Sequence, residues 1–141
     1  MTFIPDLSPC TYLPVQSDLL LSIGWLGRGQ DFSRGPVSPE FYAKLKRFCS
    51  APWQPWVAPG LYECELCQFE PARMTGEIYI PHNGRIYVAP VGIVHYIARH
   101  WYQPPSVFIE AVSACPAFNT IDYKRALLEH GGRGVLVGRP G

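Results

Sequence analysis

Short apolar runs of two different periods alternate along this chain with turn residues, and each run predicts a short element. The clearest lies between Glu77 and Val88, where two β-rich runs flank Asn83-Gly84. Asn-Gly supplies the positive φ angles of a two-residue type I′ turn, so the stretch predicts a hairpin. The turn also sets the register: His82 opposite Arg85, Ile80 opposite Tyr87, Ile78 opposite Ala89. Pro81 has no N–H to give to a ladder, which predicts an unpaired strand edge on its side. The period changes from Ser38 to Ser50. There Phe41, Leu45 and Phe48 recur at i, i+4 and i+7, a helical stripe. Ser38 suits the N-cap, Pro39 the first turn and Glu40 the positive end of the helix dipole, while Pro52 and Pro55 forbid continuation.

The remaining pattern predicts three more helices. One starts at Pro90, with Ile93, Val94, Ile97 and Trp101 as its apolar stripe and Pro104-Pro105 as its stop. The next spans Ser106 to Ala114 with Phe108, Ala111 and Val112 inward. The last, Ile121 to His130, has Asn119 or Thr120 as cap, Leu127 and Leu128 as apolar residues and Gly131 as terminator. His130, at that helix end, is accounted for by the dipole. The apolar run from Asp18 to Leu26 fits a buried strand or a short helix, and periodicity does not separate them. Gly24 beside Trp25 predicts a close backbone approach, with the indole as a core anchor whose N–H needs a partner. Gln68 to Thr75 reads as a loop, and Ala51 to Gly60 as a linker wrapping the domain with Trp53 and Trp56 buried.

Composition bounds what these elements build. With 141 residues, 48% of them apolar, the chain holds one core and not two. Fifteen prolines and thirteen glycines keep the elements short. The expected fold class is α+β: a small single domain over 1–131, an antiparallel β-hairpin packed with three or four short helices and stapled by zinc. Residues 1–37 form a loop-rich N-terminal arm and 132–141 a flexible tail. A net charge of +1, with both signs interspersed, argues against a phosphate-binding surface. Lys44, Lys46 and Arg47 make a small basic cluster that reads as a solvated helix face, and with Arg133 and Arg139 they carry only a weaker nucleic-acid alternative. No apolar run is long enough for a bilayer and the start carries no secretory pattern, so no membrane association and a cytoplasmic location are expected.

The chemistry concentrates in Cys64-Glu65-Leu66-Cys67 and His95-Tyr96-Ile97-Ala98-Arg99-His100. Cys-x2-Cys followed by His-x4-His has the ligand types and local spacings of a tetrahedral Zn2+ site. A tight turn between the cysteines points both sulfurs at one place, and its backbone N–H groups can bond them. The histidines are less simple. Five steps along an ideal helix leave them roughly 140° apart in azimuth, so His100 reaches the ion only if the last turn loosens. His82 is the reserve ligand. A redox pair or plain packed thiols compete for the cysteines, and a hydrogen-bonded core histidine competes for His95. Cys10, Cys49 and Cys115 read as packed thiols.

Two cysteines and two histidines fill a tetrahedron, whereas catalytic zinc keeps a position for water. The His-Glu-x-x-His and zinc-deaminase patterns are absent, and Glu63 and Glu65 are expected to aim away from the ion. The leading expectation is therefore a structural-zinc, protein-interaction module of adaptor or immunity type, with no catalytic residue and no small-molecule substrate indicated. The alternative is a small zinc-dependent hydrolase.

Several phrases carry a family resemblance: Asp6-Leu7-Ser8-Pro9, Gly24-Trp25-Leu26, Cys64-Glu65-Leu66-Cys67, Ala89-Pro90, His95-Tyr96-Ile97 with His100-x-Tyr102, and Pro104-Pro105 with Phe108. Spanning residues 6 to about 112, they resemble a family of small bacterial proteins of unknown function. The resemblance implies no activity. It implies that the cysteine pair and the histidine pair belong to one shared design.

Overall fold

Asn83 and Gly84 adopt φ of 48° and 75°, the left-handed pair that a type I′ turn requires. The structure, a computed structural model, describes residues 3–10, 19–53, 62–68 and 73–131. Strand β4 (Glu77–His82) leads into the turn and β5 (Arg85–Pro90) leaves it, in the predicted register: His82 with Arg85, Ile80 with Tyr87, Ile78 with Ala89. β4 lies at the sheet edge, which tolerates Pro81.

The apolar run in the arm resolves into a strand. β1 (Leu20–Ser22) pairs in parallel with β5, Leu20 against Ile86 and Ser22 against Val88, so β5 is the centre of a β1-β5-β4 sheet. The chain then turns at Gly24, whose φ is +78° and where an added Cβ would lie 2.9 Å from Ile93 Cδ1. Trp25 is buried and its indole N–H donates to Val88 O at 3.1 Å. Both expectations for this dipeptide hold.

Helix α1 (Pro39–Ser50) forms as its caps dictate, with Ser38 Oγ accepting the Phe41 N–H at 3.1 Å and Phe41, Leu45 and Phe48 buried. Lys44 donates to Ser113 O and lies over the Phe48 ring, so the basic cluster is partly used in packing. Two short strands, β2 (Tyr62–Glu63) and β3 (Arg73–Met74), form an antiparallel pair around the cysteine turn. Part of the expected Gln68–Thr75 loop is thus a strand, because β2 offers it a ladder.

The helix expected at Pro90 begins later, as α2 (Ile93–His100). Pro90 is still in β5 opposite Glu77, and Val91 N–H continues the pairing to Gly76 O. Its stripe also differs: Ile93, Tyr96 and Ile97 are buried, while Trp101 is 61% exposed and leaves the helix at φ 60°. Helix α3 (Ser106–Ala114) buries Phe108, Ala111 and Val112 as expected, with Phe108 edge-on to both Phe41 and Tyr87. Helix α4 (Ile121–Glu129) is capped by Thr120, whose Oγ1 accepts the Tyr123 N–H. Tyr123 OH reaches Tyr79 O at 2.6 Å and docks α4 on β4.

Leu127 is buried, but Leu128 is 54% exposed. His130 has a more specific role than meeting a dipole. Its Nδ1 accepts the Gly84 N–H at 2.7 Å, tying α4 to the hairpin turn. Trp53 is half-buried, edge-on to Tyr79 and Tyr123. Trp56, the tail 132–141 and its arginines lie outside the described residues. Among the described residues no helix is long and apolar enough to cross a membrane.

Candidate metal centre

The Cys64-Glu65-Leu66-Cys67 turn is closed at its base by the β2–β3 ladder, which fixes where its sulfurs point. Backbone N–H groups of Leu66 and Cys67 bond the Cys64 sulfur, as a metal-binding knuckle requires. Cys64 is buried and Cys67 half-buried. Across from them stands α2. Its last turn is widened: the Trp101 N–H reaches back five residues to Tyr96 O, not four to Ile97. A turn of that width rotates less per residue and brings His100 round toward His95. The loosened helix end that the spacing demands is present.

The four side chains converge. One ligand atom from each of Cys64, Cys67, His95 and His100 lies within 4.8 Å of every other. Cys64 Sγ is 3.4 Å from His100 Nε2, and Cys67 Sγ is 3.3 Å from His95 Nε2 and 3.7 Å from His100 Nε2. A tetrahedron with Zn–S of ~2.3 Å and Zn–N of ~2.05 Å has S···N edges of about 3.6 Å. These three S···N distances bracket that edge, and the donor set is one that zinc favours. The cluster is therefore arranged to hold a metal ion and fits zinc. His82 is not part of it: it pairs with Arg85 beside the hairpin turn, at the opposite end of β5 from the strand end that leads to α2.

Burial and neighbouring charge set the protonation of the cluster. Burial, then the neighbouring His100 and Arg99, lowers His95 below its ordinary value, and burial, then Arg99, does the same for His100. Both imidazoles are thus favoured in the neutral, ligating form. Burial is the largest effect on Cys64 and raises its thiol, against the knuckle N–H bonds that lower it. All five cysteines are free thiols, and burial pushes Cys49 and Cys115 up to about 12, which suits packed, unreactive groups.

The glutamates flanking the knuckle face elsewhere. Glu63 pairs with Arg73 at 3.1 Å, and Glu65 Oε1 accepts the Arg28 N–H at 3.1 Å. Clefts of about 210 and 190 Å³ lie beside Asp6 and Phe32 and beside Trp53 and Phe118, and no metal-cluster residue lines either.

Residues 2–113 match the family model described as a domain of unknown function, DUF7919. The chain belongs to the DUF7919 family. The match takes in every phrase that carried the resemblance, both halves of the metal cluster and nearly all of α3, while α4 lies beyond it. No curated protein and no solved structure matches the chain.

Sequence reasoning missed the groups that hold the DUF7919 cluster in place. Tyr102, fully buried, donates its hydroxyl to Asp6 Oδ2, and Asp6 Oδ1 takes the Gly24 N–H. Residues 33–35 pair with 101–103 through Gly35 N–H to Trp101 O and Gln103 N–H to Ser33 O. Arg28 grips the knuckle between its cysteines. A turn-forming Asp6 and an arginine between glycines were the available signals, and neither names a partner far along the chain.

Proposed function

We propose that this chain is a structural-zinc domain whose surface engages a partner protein, in an adaptor or immunity-type role. The observation that carries the zinc half is the convergence of four donors, three of whose S···N distances match the edges of a Cys2His2 zinc tetrahedron. Four protein donors leave no coordination position for a water nucleophile. The carboxylates beside the knuckle, the natural general bases for a hydrolase, are bonded to Arg73 and Arg28.

The partner half is supported by surface residues that the fold does not need. Trp101, Ile121 and Leu128 are 61%, 74% and 54% exposed. Trp101 also holds a left-handed backbone that glycine would adopt at lower cost. An exposed aromatic kept at such a position serves a contact better than it serves the domain.

Metal analysis of the purified chain tests the zinc half, with one zinc per chain expected and none sinking it. X-ray absorption should then give two sulfur and two nitrogen neighbours. Three protein ligands plus water would turn the reading to the zinc-dependent hydrolase.

A further inference from the structure

Arg28 lies on the arm, 37 residues before the knuckle, yet makes two hydrogen bonds to the residue between the cysteine ligands. Its Nε donates to Glu65 O at 2.9 Å and its backbone N–H donates to Glu65 Oε1 at 3.1 Å. The Glu65 carbonyl and the Leu66 N–H are opposite ends of one peptide group, and that N–H bonds the Cys64 sulfur. A continuous path thus runs from the guanidinium through one peptide plane to a metal-ligating sulfur. Hydrogen bonding at one end of a peptide polarises and orients the other.

The approach is built into the arm. Gly27 passes so close that an added Cβ would lie 2.8 Å from Phe3 Cβ and 3.6 Å from Glu65 Oε1. Two residues before it, Trp25 is anchored on the sheet through Val88 O, and its carbonyl accepts the Ile4 N–H. Arg28 therefore extends from a rigid base. The second bond comes from the Arg28 main chain and holds the Glu65 carboxylate on the arm whatever side chain stands at position 28.

We propose that the Arg28 guanidinium is a positioning group of the metal centre, holding the Glu65–Leu66 peptide so that its N–H stays on the Cys64 sulfur. This rests on the zinc reading above. Partners of this outer kind change metal affinity by about 10–100-fold when removed. A surface arginine whose bonds were only decorative would change it by nothing.

The test compares wild type, Arg28→Ala and Arg28→Lys in three readouts: zinc affinity by competition with a chromophoric chelator, the thiolate-to-metal charge-transfer band of the cobalt-loaded protein, and melting of the metal-free protein. Arg28→Ala is expected to lose about 10-fold or more in zinc affinity and to shift the cobalt band, with metal-free melting moved by no more than about 2 °C. Arg28→Lys, which keeps a donor, should recover part of the affinity. Wild-type affinity and an unchanged cobalt band in Arg28→Ala overturn the proposal and leave the zinc reading standing. An affinity loss matched by an equal loss of metal-free stability also overturns it, as an ordinary fold contact. A wild-type chain that takes up neither zinc nor cobalt removes the zinc reading itself, and this proposal with it.

Discussion

The hydroxyl of Tyr102 donates to Asp6 across 96 positions of sequence, at 2.7 Å, and so secures the exit of α2 two residues beyond His100. Burial raises the Asp6 carboxyl above its ordinary 3.8, outweighing the Gly24 and Tyr102 bonds that pull it down. The folded state thus holds this proton more tightly than the unfolded chain does. Its stabilising contribution is complete below 3.8 and is lost as pH rises through the raised value. Asp6→Asn removes that dependence. In paired denaturant titrations, the stability gap between wild type and variant should narrow as pH climbs out of the acid range. A gap that stays constant with pH would refute this.

Removing one thiolate tests the staple directly. Cys64→Ser should lose zinc and lower the thermal midpoint by roughly 10 °C or more, the shift that ~3 kcal/mol gives a domain of this size. Intact melting in a zinc-free Cys64→Ser protein would show that the ion does not support the fold.

A side chain at Gly24 meets both backbone strain and a close contact. Gly24→Ala places a methyl in a left-handed backbone and drives it toward Ile93 at the start of α2, for a cost of about 2–4 kcal/mol. Chemical denaturation of the variant measures it, and a loss under ~0.5 kcal/mol would contradict the packing described.

Trp101 separates stability from contact. Trp101→Gly should raise folding stability by about 1 kcal/mol, because glycine relieves the left-handed backbone while little buried area is lost. Zinc stoichiometry should remain at the wild-type level. A destabilised variant would mean that the indole packs more than its 61% exposure indicates.

What the sequence makes legible is local. Asn83-Gly84 dictates its own dihedrals, and a turn of fixed length leaves one register for Ile78 to Ala89. Cys64 and Cys67 share a turn, and His95 and His100 share a helix, so each pair can be read without knowing the rest of the fold. The demand for a widened helix end follows from azimuth alone and is met at Trp101. What stays hidden depends on chain that is distant in sequence. Leu20–Ser22 is a strand only because β5 lies beside it, and Arg73–Met74 only because β2 does. Pro90 sits at a helix-start pattern but remains in β5, since a strand's last residue opposite Glu77 can do without an N–H. Arg28 and Asp6 look like ordinary turn and surface residues until Glu65 and Tyr102 arrive.

The parallel pairing of β1 with β5 carries a consequence for how the chain is made. Leu20 meets Ile86 only after the whole intervening segment has been synthesised and folded back, and closing so long a loop is entropically costly and slow. Without β1, one side of β5 would be an open edge, an apolar ladder from Ile86 to Ala89 with unpaired backbone groups. The chain's own β1 is tethered and so holds the advantage for that edge, which a neighbour's β1 contests only at high concentration. Exchange of that arm between two chains is the misassembly this topology would permit, and a dimer whose share grows with protein concentration during refolding would reveal it.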